Sequence, residues 1–157
     1  MTGETRSSFC ESSYYIWMSK EGGVKLETSI NKTAWVRLEQ GRVLCVRSVG
    51  KDAYYLPGGK REPGETDIEA LQREIEEELS VRLKPETISH FGTFEAQAHG
   101  KAEGVKVVMA CYTADFEGEL RPASEIEELA WLAYEDLGRI SAAGRIVFEK
   151  LREMNWM

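Results

Sequence analysis

Three glutamates, Glu74, Glu77 and Glu78, stand at spacings i, i+3 and i+4 within the run from Thr66 to Ser80. On a helix these separations bring side chains together on one flank. Two carboxylates ~5 Å apart repel by roughly 3 kcal/mol at an effective dielectric of 20. A helix with no cation to bind would gain by replacing one of them, although glutamate is also a good helix former on a solvated face. Hard oxygen donors in this arrangement suit Mg2+ or Mn2+, which keep several waters and share their other positions with phosphate oxygens. Eight of the 27 acidic residues fall between Glu62 and Glu78, and three more cluster at Glu125, Glu127 and Glu128.

The elements that must position these acids are legible in outline. Thr66 with Glu69 three residues on is a capping-box pattern that starts a helix. At about 100° per residue, Ile68, Leu71, Ile75 and Leu79 form its buried stripe, with Glu69 and Glu76 toward solvent. Ahead of it, the apolar run Tyr54 to Leu56 stops at Pro57-Gly58-Gly59, and Glu62 to Glu65 is turn-rich. Ala34 to Leu38 and Val43 to Val49 read as a hairpin around Glu39-Gln40-Gly41. Residues 90–98 and 105–116 read as two long strands, and Glu128 to Leu132 as a short one. Ser141 would cap a closing helix that turns Ile146, Val147, Leu151 and Met154 inward. Mixed strands with two helices predict an α+β layered domain.

Around the three glutamates the spacing is specific. Gly59 is followed by Glu65, Arg73, Glu74, Ile75, Glu77, Glu78 and Val81, eight of the nine specified positions of G-x5-E-x7-R-E-U-x-E-E-x-G-U, U being bulky and aliphatic. The segment resembles the Nudix box, and Leu56-Pro57-Gly58 resembles its usual lead-in. Ser80 departs from the pattern, standing where the family has glycine; serine enters a left-handed helix end at a cost of about 1 kcal/mol.

The resemblance implies an α/β/α sandwich with a mixed central sheet and a strand-loop-helix-loop catalytic unit. It also implies Mg2+-dependent (or Mn2+-dependent) hydrolysis of a nucleoside diphosphate linked to another moiety. Carried over by position, Glu74 and Glu78 become direct metal ligands with the Gly58 carbonyl, and Glu77 helps with a second cation or its waters. Arg73 orients a glutamate, and Glu65 braces the loop. Family members often use a further carboxylate outside the box as base or extra ligand. Glu125 is the first candidate here, ahead of Glu128, Glu127 and Glu103. A different class of function on the same fold is a regulatory module that binds nucleotide or sugar without cleaving it; the complete glutamate set argues for the enzyme.

Composition bounds the rest. The 157 residues make one domain, 42% hydrophobic and 30% charged, with no apolar run near the ~20 residues of a membrane span. A net charge of −7 without a basic stripe argues against duplex nucleic acid as a partner. Cys10, Cys45 and Cys111 form no CxxC pair, and with only His90 and His99 beside them a structural zinc site is not expected. Cys45 and Cys111 sit in apolar runs and read as buried thiols, which with no secretory pattern at the N-terminus predicts a reducing, cytoplasmic setting. Residues 1–29 read as an N-terminal extension to a domain over 30–157. In it, Tyr14 to Met18 forms a strand turned at Lys20 to Gly23 into Val24 to Leu26, or else docks on the body or on the partner in a homodimer.

Substrate choice lies outside the box. Neither the proline nor the tyrosine that marks some subclasses stands at Ala96 or Gln97. Subtraction leaves nucleoside or deoxynucleoside triphosphates, including noncanonical ones. Tyr54, Tyr55, Phe94 and Trp35 are the aromatics that could stack on a base, and Lys51, Arg61 and Lys101 the cations that could meet phosphates.

Overall fold

The computed structural model describes residues 14–18, 24–98 and 100–157, with side chains from residue 29 onward. Cys10, His99, the serine-rich start and the turn expected at Lys20 to Gly23 lie outside the described residues.

In chain order the strands are β1 (Tyr14–Met18), β2 (Val24–Trp35), β3 (Leu38–Glu39), β4 (Arg42–Ser48) and β5 (Gly58–Lys60). Helix α1 (Asp67–Leu79) follows, then β6 (Arg82–Leu83), β7 (Ser89–Gln97), β8 (Val105–Thr113), β9 (Phe116–Glu117), β10 (Ile126–Leu132) and helix α2 (Ala142–Glu153). The main sheet runs β1-β2-β8-β7, with β5 also paired to β2. Strands β2 and β8 are parallel, and the other pairs in this sheet are antiparallel, so the sheet is mixed. A second sheet, β10-β4-β3, is antiparallel, and β6 pairs with β9.

Strand β4 shows how the layers form. Its run Val43-Leu44-Cys45-Val46 is buried at every position, the pattern of a strand covered on both faces. Alternation sends Val43 and Cys45 into a core with Val147, Phe148 and Leu151 of α2. Leu44 and Val46 enter the opposite core with Leu71, Ile75 and Leu79 of α1. Ala34 and Trp35 of β2 divide in the same way. The strands therefore lie between the two helices, giving the expected α/β/α layering within an α+β fold.

Several boundaries differ from expectation, each for a physical reason. The stretch read as one strand from Ala34 to Leu38 is broken after Trp35. There the chain leaves the main sheet, and β3 begins the second one around the Gln40-Gly41 turn. The strand read to Phe116 stops at Thr113, because Phe116 pairs instead with Leu83. In the apolar run before Pro57, Tyr54 and Tyr55 make single bridges to Ile140 and Val46. Ile68 and Ile146, both assigned to buried stripes, are 41% and 37% exposed. Each lies in the first two turns of its helix. Ser141 does cap α2, accepting from the Gly144 N–H at 3.3 Å. Among the described residues no helix is long and apolar enough to cross a membrane.

Candidate functional site

The site is built outward from α1. Its start is fixed by the expected capping box: Thr66 Oγ1 accepts from Glu69 N at 3.2 Å, and Glu69 returns a carboxylate to Thr66 N at 2.8 Å. Its end is closed by Ser80 at φ 62°, ψ 22°, the left-handed conformation for which the family uses glycine. Glu76, Glu77 and Glu78 occupy the last turn, which itself contains no basic residue. A helix C-terminus disfavours negative charge, so this placement opposes helix stability.

Glu78 turns into the protein and is only 5% exposed. Its Oε2 accepts the Gly58 N–H at 3.1 Å, the one hydrogen bond to this carboxylate among the described residues. Burial pushes its carboxyl up to about 8, with the charges of Glu74 and Glu125 adding to the rise against the Gly58 bond. Burial also raises Glu74, against the pull of Arg73.

Arg73 holds several acids at once. It grips Glu65 in a fork, Nε to Oε1 at 2.6 Å and Nη2 to Oε2 at 3.0 Å, reaches Glu74 at 2.9 Å and caps the Lys60 carbonyl at 3.1 Å. The Arg73 bonds, with the Glu62 N–H, hold the Glu65 carboxyl down at about 2. Glu77 is the outermost of the set, exposed and 3.4 Å from Arg73.

The glycines of β5 are required by close approach. Gly58 has φ 142°, and a Cβ there would fall on the Thr33 carbonyl oxygen. A Cβ on Gly59 would meet the Glu74 carboxylate at 2.5 Å.

The segment carrying Glu125 is strapped to the end of α1. Arg121 N and Ala123 N donate to the carbonyls of Leu79 and Glu78 at 3.0 and 2.9 Å, satisfying acceptors that a helix end leaves open. A left-handed Ser124 then turns the chain, and the Glu125 carbonyl accepts from Val49 N at 2.9 Å.

Together these parts enclose a cleft of about 430 Å3 lined by Gly58, Gly59, Glu74, Glu78 and Glu125, with Lys32, Lys51, Lys60 and Lys101 on the same lining. Deeper in, the wall is apolar, with Ile30, Val107, Met109 and Ala143. Arg73, Glu65 and Glu77 stand behind this lining. Glu127 and Glu128 are taken by Arg47, at 2.9 and 3.1 Å, and Glu103 lies exposed away from the cleft. Among the described residues, Tyr55 alone of the candidate aromatics lines the cleft; Trp35 and Phe94 pack in the two cores. Arg61 pairs with Asp67 at 3.4 Å, outside the lining. Lys32 went unnoticed in the sequence, although the alternation Ile30-x-Lys32-x-Ala34 marks it as a cation on the inward face of a strand.

Among the described residues no three carboxylate, histidine or thiol side chains close into a complete metal cage. The donor set nevertheless fits a small hard cation. All the groups are oxygens, and the most buried carboxylate has one N–H against two like-charged neighbours. An open site suits a cation that keeps waters and shares phosphate oxygens.

Comparison with known proteins agrees with this geometry. The NUDIX domain family model matches residues 30–151. The nucleoside triphosphatase NudI of Enterobacter sp. (strain 638) is 32% identical over 112 residues, covering 65% of this chain and 78% of that protein. The human 8-oxo-dGDP phosphatase NUDT18 is 45% identical over 53 residues, 32% of this chain but only 16% of that longer protein. Among solved structures, a MutT NUDIX hydrolase from Burkholderia pseudomallei superimposes with a TM-score of 0.67 at 30% identity, over 80% of this chain and 99% of that one. With the family match spanning most of the sequence, and with α1 and its loop placed as the box requires, the chain belongs to the NUDIX family.

Proposed function

We propose that the protein is a pyrophosphohydrolase that cleaves a phosphoanhydride bond in a nucleoside diphosphate derivative, most readily a canonical or noncanonical nucleoside triphosphate. The domain that does so is residues 30–157, with 1–29 as an extension. The observation that carries this reading is Glu78, a buried carboxylate aimed with Glu74 and Glu125 into a cleft whose remaining charged groups are lysines.

Glu74, Glu78 and the Gly58 carbonyl would hold Mg2+ or Mn2+, with Glu77 ordering a second cation or its waters. Such a cation, when bound, neutralises phosphate charge and acidifies water. The protein's own groups do the rest. Arg73 keeps Glu74 oriented and ties α1 to the loop through Glu65, so the donors stay in place. Glu125 takes the proton from the attacking water as the new P–O bond forms and the bridging P–O bond breaks. A cytoplasmic setting fits the free, buried thiols of Cys45 and Cys111.

The test is phosphate and pyrophosphate release from a panel of nucleoside triphosphates, ADP-ribose and dinucleoside polyphosphates, with Mg2+, Mn2+ or EDTA. Turnover should require the metal and favour a triphosphate, and Glu78→Gln should lower it by about 100-fold or more while leaving the fold intact. No turnover anywhere in the panel, with nucleotide binding retained, would instead establish a binding module on the same fold.

A further inference from the structure

Lys32 occupies a place where an apolar residue would be expected. Side chains alternate along a strand, so Ile30, Lys32 and Ala34 share the inward face of β2. Ile30 and Ala34 are buried there, and Lys32 sits in register with Met109 of β8, itself buried, and Lys60 of β5. A methionine or leucine would continue this row without desolvating a charge. Burial and the neighbouring Lys60 both act against the ammonium form of Lys32. Its Nζ stands 5.7 Å from the centroid of the Tyr55 ring, and no described carboxylate forms an ion pair with it. Glu74 and Glu78 attract it only at longer range. The same lining holds Lys51 and Lys60.

We propose that Lys32 binds a phosphate oxygen of the nucleotide, and that through it the cleft selects a nucleoside triphosphate over the matching diphosphate. The inference rests on the nucleotide reading of the cleft. Glu74, Glu78 and Glu125 bring in cations that offset the phosphates at the reacting bond. The lysines add positive charge that those carboxylates do not neutralise by contact, and each further phosphate on the ligand brings an anion to meet it. An ammonium held over Tyr55 is already oriented, so little freedom is lost when phosphate arrives. If Lys32 served only to cover the Tyr55 ring, its aliphatic stem would suffice and its charge would be dispensable.

The experiment measures binding by calorimetry in Mg2+, using methylene-bridged, non-hydrolysable analogues of deoxyguanosine triphosphate and diphosphate at two salt concentrations. Wild type is compared with Lys32→Met, Lys32→Gln and Lys32→Arg, each checked by thermal melting. Lys32→Met and Lys32→Gln should weaken the triphosphate analogue by about tenfold or more, as expected for a charge-assisted hydrogen bond. They should weaken the diphosphate less and flatten the salt dependence, while Lys32→Arg keeps most of the preference. Should Lys32→Met fail to fold, Lys32→Gln, which keeps the polar stem, carries the comparison. Folded variants with wild-type affinities and an unchanged triphosphate-to-diphosphate ratio would overturn the role of Lys32 while the hydrolase reading stands. A wild-type protein that binds neither analogue would overturn both. Binding without turnover would remove the hydrolase reading alone, and the Lys32 comparison would still decide this inference.

Discussion

Glu78 carries a charge that the fold itself penalises. With its carboxyl held near 8 against an ordinary value of 4.5, the metal-free folded state binds more protons than the unfolded chain between those two values. Stability therefore falls as pH rises through that window, and is fully present only below it. At roughly 1.4 kcal/mol per pH unit, the effect amounts to a few kcal/mol by pH 8. Glu74, raised by burial, acts in the same direction. Urea unfolding in EDTA should thus give a lower midpoint at pH 8 than at pH 5, and Glu78→Gln should remove most of the difference and exceed wild type at pH 8. Mg2+ should restore wild type at pH 8 and leave Glu78→Gln unmoved. A wild-type midpoint that is flat between pH 5 and pH 8 in EDTA would show that the burial is not felt as a penalty. A neutral isostere that stabilises the fold and abolishes turnover separates the two uses of one residue.

Helix α1 compresses its conflicts into one turn. Three glutamates crowd the end where the helix dipole is negative, and Ser80 then adopts a left-handed conformation at φ 62°. Ser80→Gly should relieve about 1 kcal/mol of that strain, less whatever the 3.4 Å bond from Ser80 Oγ to the Arg121 carbonyl contributes. For a domain of this size, the midpoint should rise by about 2–4 °C, with turnover unchanged. A lower midpoint would mean that the tie to Arg121, and through it the strap leading to Glu125, outweighs the backbone strain. These features were legible in the sequence because they are local. The Thr66–Glu69 box, the helix end at Ser80 and the Glu74-Glu77-Glu78 flank are relations across three or four residues. What could not be read joins distant segments. Arg47 reaches across 80 residues to Glu127, which removes it and its neighbour from the field of candidate bases. The break after Trp35 reflects a change of sheet, and although alternation turns Lys32 inward, that this face lines a cleft with Glu74, Glu78 and Glu125 is set by segments distant in the chain. Ile68 and Ile146 were misplaced for a related reason, since a helical stripe says which residues are aligned and not how far the sheet extends beneath them.

At the scale of the molecule, two cores share one set of strands, and the cleft opens where those strands meet α1. Cys45 of β4 and Cys111 of β8 both face the α2 side, fully buried among Val147, Phe148 and Leu151. Burial pushes the Cys111 thiol up to about 12 and Cys45 higher still, so neither is a thiolate at pH 8 in the folded state. Because the thiolate is the reacting species, alkylation requires that the strands separate from α2. Their labelling by iodoacetamide, followed peptide by peptide by mass spectrometry, therefore reports the opening of the central layer. If the strands bind the two helices into one cooperative unit, Cys45 and Cys111 should be modified at equal rates. A ligand that binds only the folded state slows that opening by mass action, by about 100-fold when present at 100 times its dissociation constant. The cleft draws carboxylates from α1, whereas much of its apolar wall, with Ile30, Val107, Met109 and Ala143, belongs to the α2-side core that holds both thiols. Protection of the thiols by Mg2+ and a non-hydrolysable nucleotide would thus show that a filled cleft holds the α2-side core closed. Glu78→Gln should lose that protection, since its cleft no longer holds the cation. Unequal rates, or a nucleotide that leaves them unchanged while binding measurably, would instead mean that α2 opens separately, with the carboxylate side of the cleft still folded around its ligand.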